Sequence, residues 1–246
     1  MTTKEAWRYQ MSALKEKTLK QKLEHIVTYY WLPIVAVLVL LSLGVSYAVH
    51  LATRKEVALN VTCINGLAEE TKTAQYAERF AQAAGIDLKQ FEVTISTGKL
   101  HTDEGWEGYY ESVEAVAVML AAQEMDMMAA DLESLYQYFY LDIFADLTAV
   151  LSAEQQKNYG EYFLYVDLAV LEQVRNETEL EKLPAFPDPE KPEEMEKPVP
   201  VAIRLPAGGE FTQLCFSHCK DSAAVGIVVN TKNLANALAF LDDIME

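Results

Sequence analysis

Residues 57–96 read VALNVTCINGLAEETKTAQYAERFAQAAGIDLKQFEVTIS, and their order of periodicities decides the fold. Val57, Leu59, Val61 and Cys63 alternate with Ala58, Asn60 and Thr62, the two-residue period of a strand. Tyr76, Phe80 and Ala83 follow helical spacing up to Gly85, a natural helix stop. Phe91, Val93 and Ile95 then alternate with Glu92, Thr94 and Ser96, a second strand. A strand, a helix and a strand in about forty residues are the unit of an α/β sheet.

The alternation continues downstream. Residues 98–108 form a polar loop, and Tyr109, Val113, Val116 and Leu120 mark a helix with one apolar stripe. Met125 to Ala130 reads as a short buried strand, with Asp131 capping the next helix through Leu132, Leu135 and Phe139. Met119, Met125, Met127 and Met128 suit core gaps better than a ligand site. Ser152 with Gln155 has capping-box spacing, and that helix should stop near Gly160. Tyr162–Val166, Val201–Leu205 and Ala224–Val229 are further strands. The last is continuously apolar, as expected of a central parallel strand covered on both faces. Leu234, Leu238, Leu241 and Ile244 close the chain as a helix. The expectation is one α/β domain over 54–246, with a mostly parallel or mixed sheet flanked by helices.

Six of the eight prolines lie in 184–200, PAFPDPEKPEEMEKPVP. That density argues against a helix or a central strand. It predicts an exposed, extended loop inside the domain, a rigid surface connection more readily than a docking peptide.

Upstream the chain changes character. Residues 32–51, LPIVAVLVLLSLGVSYAVHL, carry no Asp, Glu, Lys or Arg, and neither does the wider stretch 26–53. Twenty helical residues at 1.5 Å each match a hydrocarbon core of about 30 Å. Tyr29, Tyr30 and Trp31 stand where interfacial aromatics belong. The stretch is too long for a signal-peptide core and has no clear small-residue cleavage site, so an uncleaved anchor over 30–53 is expected. Lys and Arg outnumber Asp and Glu six to three in residues 1–25. This predicts a cytoplasmic amino terminus, a span across the plasma membrane and an extracellular domain. Within 1–29, the spacing of Trp7, Met11 and Leu14, and of Leu19, Leu23 and Ile26, suggests an amphipathic helix on the membrane surface or an extension of the anchor.

Residues 54–246 hold 14 basic and 34 acidic residues, which excludes nucleic acid as a natural partner. The lipid bilayer is the partner expected of 30–53. No P-loop, dinucleotide fingerprint, G-x-S-x-G or H-E-x-x-H is present, so neither an enzyme nor a bound cofactor is expected. Cys215 and Cys219 are a candidate disulfide if their segment is not a regular helix. Alternatively Cys215, His218 and Cys219 would share a helix face, but zinc needs a further ligand and no metal is expected. His101, Asp103 and Glu104 crowd one loop without the spacing of a calcium site. In an open α/β sheet a ligand lies at the carboxyl ends of the strands. That places candidates at Asn65, Thr97, Asp131, Asp167 and Asn230, by position alone, each more readily read as a turn or helix-cap residue.

The order of these motifs resembles the first lobe of extracellular solute-binding proteins of ABC transporters. QYAERFAQAAGI, FEVTIS, YYESVEAVAVMLAAQEMDMMAAD and FADLTAVL follow that order, with Asp126, Phe144, Asp146 and Leu147 at matching places. The ending GIVVNTKNLANALAFLDDIM is similar too. The layout also resembles membrane-anchored proteins of Gram-positive gut bacteria, through Lys20 to Glu24 and Asp188 to Val201. The resemblance implies a periplasmic-binding-protein-like fold whose second lobe is reduced or absent. It implies a tethered binding module for a small solute or a transporter subunit. The alternative is a non-catalytic structural or assembly component of a cell-envelope complex.

Overall fold

The computed structural model describes residues 19–53, 55–97, 105–176, 184–219 and 222–245. They divide into two compact units, Met1–Arg54 and Lys55–Glu246, each considered by itself.

Among the described residues the first unit holds one long helix, α1, Leu19–Thr53, with Pro33 inside it. Residues 19–29 therefore extend α1, while the rest of the expected amphipathic tail lies outside the described residues. Side chains 31–47 are all exposed. Among the described residues no helix is long and apolar enough to cross a membrane.

The second unit is α/β, in the order β1 (Glu56–Cys63), α2 (Glu70–Ala83), β2 (Phe91–Ser96), α3 (Gly105–Ala122), β3 (Met127–Asp131), α4 (Leu132–Phe139), α5 (Leu147–Val150), α6 (Ala153–Tyr159), β4 (Phe163–Asp167), α7 (Leu168–Asn176), β5 (Pro198–Arg204), α8 (Glu210–Phe216), β6 (Ala223–Ile227) and α9 (Leu234–Met245). The six strands form one mixed sheet ordered β2-β1-β3-β6-β5-β4. β1 is parallel to β2 and β3, whereas β6 is antiparallel to β3 and β5, and β4 to β5.

Alternation along the strands sorts side chains to two faces. Leu59, Val61, Cys63, Met127 and Ala129 meet Tyr76, Phe80, Phe211 and Phe240 from α2, α8 and α9. Met128, Ala130, Leu164 and Val201 meet Leu135, Tyr138 and Leu171 from α4 and α7. Phe80 and Phe240 pack edge to face at 5.0 Å, and Phe211 and Phe240 at 5.5 Å, an arrangement that favours aromatic rings beyond simple burial. Met125, Met127 and Met128 are fully buried.

Three local expectations change. β6 is buried along its whole length but runs antiparallel, not parallel. A strand covered on both faces is continuously apolar whichever way it runs, so composition does not carry direction. The proline segment enters the sheet: Pro198 and Pro200 belong to β5, an internal strand. They are tolerated because there β5 pairs with β4 alone. β6 joins only at Ile203 and Arg204, and a register shift lies between Leu164 and Tyr165. A 3-10 turn also forms at Pro192–Glu194, with Pro at the first position, where no N–H is needed. Finally α3 begins at Gly105, inside the expected 98–108 loop.

Candidate functional site

Because β1, β2 and β3 run the same way, their carboxyl ends share one end of the sheet, the end that collects ligands in open α/β sheets. β1 ends at Cys63, and Asn65 then turns the chain in a left-handed conformation, φ 54°. Asn and Asp adopt that region more readily than other side-chain-bearing residues. Asn65 is 4% exposed. Its amide nitrogen donates to Asp131 Oδ2 at 2.9 Å and to Ser134 Oγ at 2.7 Å. Asp131 ends β3 and caps α4, its Oδ1 accepting the Ser134 backbone N–H at 3.0 Å. The Asn65 carbonyl lies 2.8 Å from His218 Nε2, which donates when that nitrogen carries the proton.

Gly66 follows. A β-carbon there would come within 2.7 Å of Cys63 Cβ, so the close approach of this turn to β1 requires glycine. Leu67 donates its N–H to the Cys215 carbonyl at 2.9 Å, fixing the turn to α8. Beside it, α2 and α8 border an open groove of about 910 Å³, lined by Leu67, Ala68, Tyr76, Arg79, Glu210 and Leu214 among others. The Arg79 guanidinium lies 4.2 Å over the Tyr76 ring, pairs with Glu210 and reaches Asp243 at 3.5 Å. Tyr76 donates its hydroxyl to Asp243 at 2.7 Å. Burial, then the Asp243 carboxylate, pushes the Tyr76 phenol far up, so it stays a neutral donor. The groove thus holds a cation and carboxylates side by side, with the Tyr76 ring buried beneath Arg79. Exposed ion pairs of this kind contribute little to stability.

The five residues proposed from strand ends do not converge. Asn65 and Asp131 bond directly, and Thr97 sits beside them, its hydroxyl 3.5 Å from the Ala68 carbonyl. Asp167 and Asn230 follow β4 and β6, which run the other way, so they occupy the opposite end. Asp167 caps α7 through the Ala169 N–H at 3.0 Å and accepts the N–H groups of Glu196 and Lys197 at 2.8 and 3.0 Å. Asn230 donates to the Leu120 carbonyl at 2.8 Å, closing the end of α3. At that same end, buried Asp126 accepts from the Asn60 N–H at 2.8 Å, the Thr231 hydroxyl at 2.5 Å and the Asn233 amide at 3.1 Å.

The cysteines are arranged differently from the candidate pairing. All three are free. α8 ends at Phe216, so His218 and Cys219 lie beyond it and do not share a helix face with Cys215. Cys215 points into the core that holds Cys63, while Cys219 Sγ lies 3.5 Å from His218 Nε2. Among the described residues no cluster could hold a metal ion. His101, Asp103 and Glu104 lie outside the described residues.

Sequence reasoning passed over Ser134, Gly66, His218 as a partner of Asn65, and the Arg79–Glu210 groove. The Asn65–Gly66 pair directly after a strand is a turn signal that marks the place. The groove joins residues 131 apart in sequence, and no local pattern announces it.

No family model matches the sequence, and no curated protein matches it. A solved structure of the periplasmic binding protein P5PA is similar over 78% of this chain and 80% of its own, at 11% identity and a TM-score of 0.35. By its own sheet topology the second unit is α/β, with a mixed six-stranded sheet flanked by helices, and the likeness to a periplasmic binding protein is distant.

Proposed function

We propose that this chain is a membrane-tethered binding module. Its α/β unit would stand outside the cytoplasm and recognise a small solute, or a subunit of an ABC-type transporter, without catalysing a reaction. The observation that carries the binding role is the end of the sheet where β1, β2 and β3 terminate. There a left-handed Asn65, a buried polar cluster and a groove with paired charges meet. A groove mixing Arg79 and Lys72 with Glu69 and Glu210, beside the apolar Leu67 and Leu214, suits a zwitterionic ligand such as an amino acid or short peptide.

The tether rests on α1. Its large apolar side chains are exposed, Leu38, Leu40 and Leu43 by 60–68%. Water penalises such a surface, and lipid removes the penalty. The helix continues to Thr53, and 26–53 holds no Asp, Glu, Lys or Arg. Tethering raises local concentration at the membrane without any new contact.

Phe186, half exposed and stacked on Tyr140 at 4.1 Å, favours a second reading, an assembly component that docks through the proline segment. Thermal unfolding of the full chain in detergent, with amino acids, short peptides and sugars, separates the two. One ligand class at about 100 times its Kd should raise the midpoint by roughly 5–10 °C, and Arg79→Ala should abolish the shift. No shift with any class removes the solute reading. Biotinylation of intact cells with an impermeant amine reagent tests the tether: Lys72 and Lys89 should label and Lys15 should not.

A further inference from the structure

Cys63 and Cys215 are the feature of the core that neither the candidate site nor the tether uses. They are 152 positions apart, one ending β1 and the other in the last turn of α8. Both are buried, at 1% and 0% exposure, in the same apolar cluster. Two contacts fix their proximity. The Leu67 N–H donates to the Cys215 carbonyl at 2.9 Å. A single β-carbon position beside Gly66 lies 2.7 Å from Cys63 Cβ and 3.6 Å from the Cys215 carbonyl oxygen. Cys215 is also the neighbour that acts most strongly on the buried Cys63 thiol. Neighbours placed in this way are candidates for a disulfide, which asks for β-carbons about 3.5–4.5 Å apart.

We propose that Cys63 and Cys215 are a disulfide pair that locks the Asn65–Leu67 turn to α8 in an oxidising compartment. The reaction is thiol–disulfide exchange with an external low-molecular-weight disulfide. A thiolate of one cysteine attacks the external disulfide, releasing one small thiol and leaving a mixed disulfide. The second cysteine then attacks the protein sulfur of that mixed disulfide, and the second small thiol leaves. The Cys63–Cys215 bond forms, the chain loses two hydrogens, and the external disulfide is reduced to two thiols. The neighbouring Cys215 and then burial hold the Cys63 thiol well above its ordinary value, so it is a poor nucleophile in the folded protein. Exchange therefore occurs while the chain folds, before α8 closes over β1, and the finished bond is shielded from reductant. Cys219, beyond the helix end and only partly buried, keeps its thiol.

The pairing does not depend on any ligand; only its occupancy in cells rests on placement of the domain outside the cytoplasm. The test is refolding of the full chain in detergent with oxidised and reduced glutathione, then alkylation and digestion without reductant. The expected product links the peptides bearing Cys63 and Cys215, with Cys219 alkylated, and Cys219→Ser gives the same link. The thermal midpoint should rise on the order of 5–10 °C over the reduced protein and fall back with dithiothreitol. A Cys215–Cys219 link overturns the proposal, as does recovery of Cys63 and Cys215 both alkylated. Cys219→Ser leaves the core intact and carries the test if Cys63→Ser or Cys215→Ser does not fold.

Discussion

Asn65 donates its side-chain amide to Asp131 at 2.9 Å, joining the carboxyl ends of β1 and β3 across 66 positions of sequence. The same amide reaches Ser134, and the Asn65 backbone is left-handed. Asn65→Ala removes both hydrogen bonds and places an ordinary side chain at positive φ. It should cost about 3 kcal/mol in urea unfolding of the full chain. Asn65→Gly loses the amide but suits the backbone, and should cost about 1 kcal/mol less. Equal losses for the two variants would show that the backbone conformation contributes nothing.

At the other end of the sheet, Asp126 gathers three donors, one from β1 and two from the loop between β6 and α9. Asp126→Ala strands them in a buried place and should lower stability by about 3 kcal/mol, with the denaturant slope unchanged. A loss under about 1 kcal/mol would mean that water replaces the carboxylate there.

The acid limb of stability should report Asp167. Burial pushes its carboxyl up, but the N–H groups of Glu196, Lys197, Ala169 and Val170 together outweigh this and hold it below the ordinary 3.8. A carboxyl depressed in the folded state contributes stability that is fully present above the unfolded value and lost as pH falls through the folded one. Asp167→Asn should therefore destabilise at pH 7, and its penalty should shrink once the pH drops below about 3.8. Urea midpoints of both proteins at pH 7 and pH 3 measure the difference, and a constant gap would refute the assignment.

A β-carbon at Gly226 would meet Phe144 ring carbons at 2.3 and 2.5 Å, in a strand paired on both sides. Gly226→Ala should cost about 3 kcal/mol through overpacking. Phe144→Leu should recover part of that, giving a coupling of at least about 1 kcal/mol in a double-mutant cycle. Strict additivity would show that the strand moves instead of the ring.

Local signals read directly. The Ser152–Gln155 box forms as spaced, with Gln155 N–H to Ser152 Oγ at 3.2 Å and the reciprocal bond at 3.0 Å. Asp131 caps α4 as its position suggests. Both depend on residues three apart, where sequence and geometry are nearly the same thing. The direction of β6 was not legible, because Ala223–Ile227 is apolar on both faces and gives no period to read. That one reversal sends Asn230 to the far end of the sheet, and that of β4 does the same for Asp167. Pro198 and Pro200 enter β5 because half of that strand lacks its second neighbour, which composition alone does not show. The partners of Arg79 and Cys215 are set by packing between distant elements, so spacing within the chain is silent about them.

The proline segment closes one flank of the sheet. Tyr165, in the border strand β4, donates its N–H to the Pro189 carbonyl at 2.9 Å, so that hydrogen is already engaged. Pro184, Pro187 and Pro189 have no N–H to offer in turn. A strand from a neighbouring molecule arriving at Tyr165 finds that N–H already taken, and three of the six residues 184–189 have none to offer. Edge-to-edge pairing between copies of this protein is hindered there, a safeguard that needs neither charge nor a covering helix.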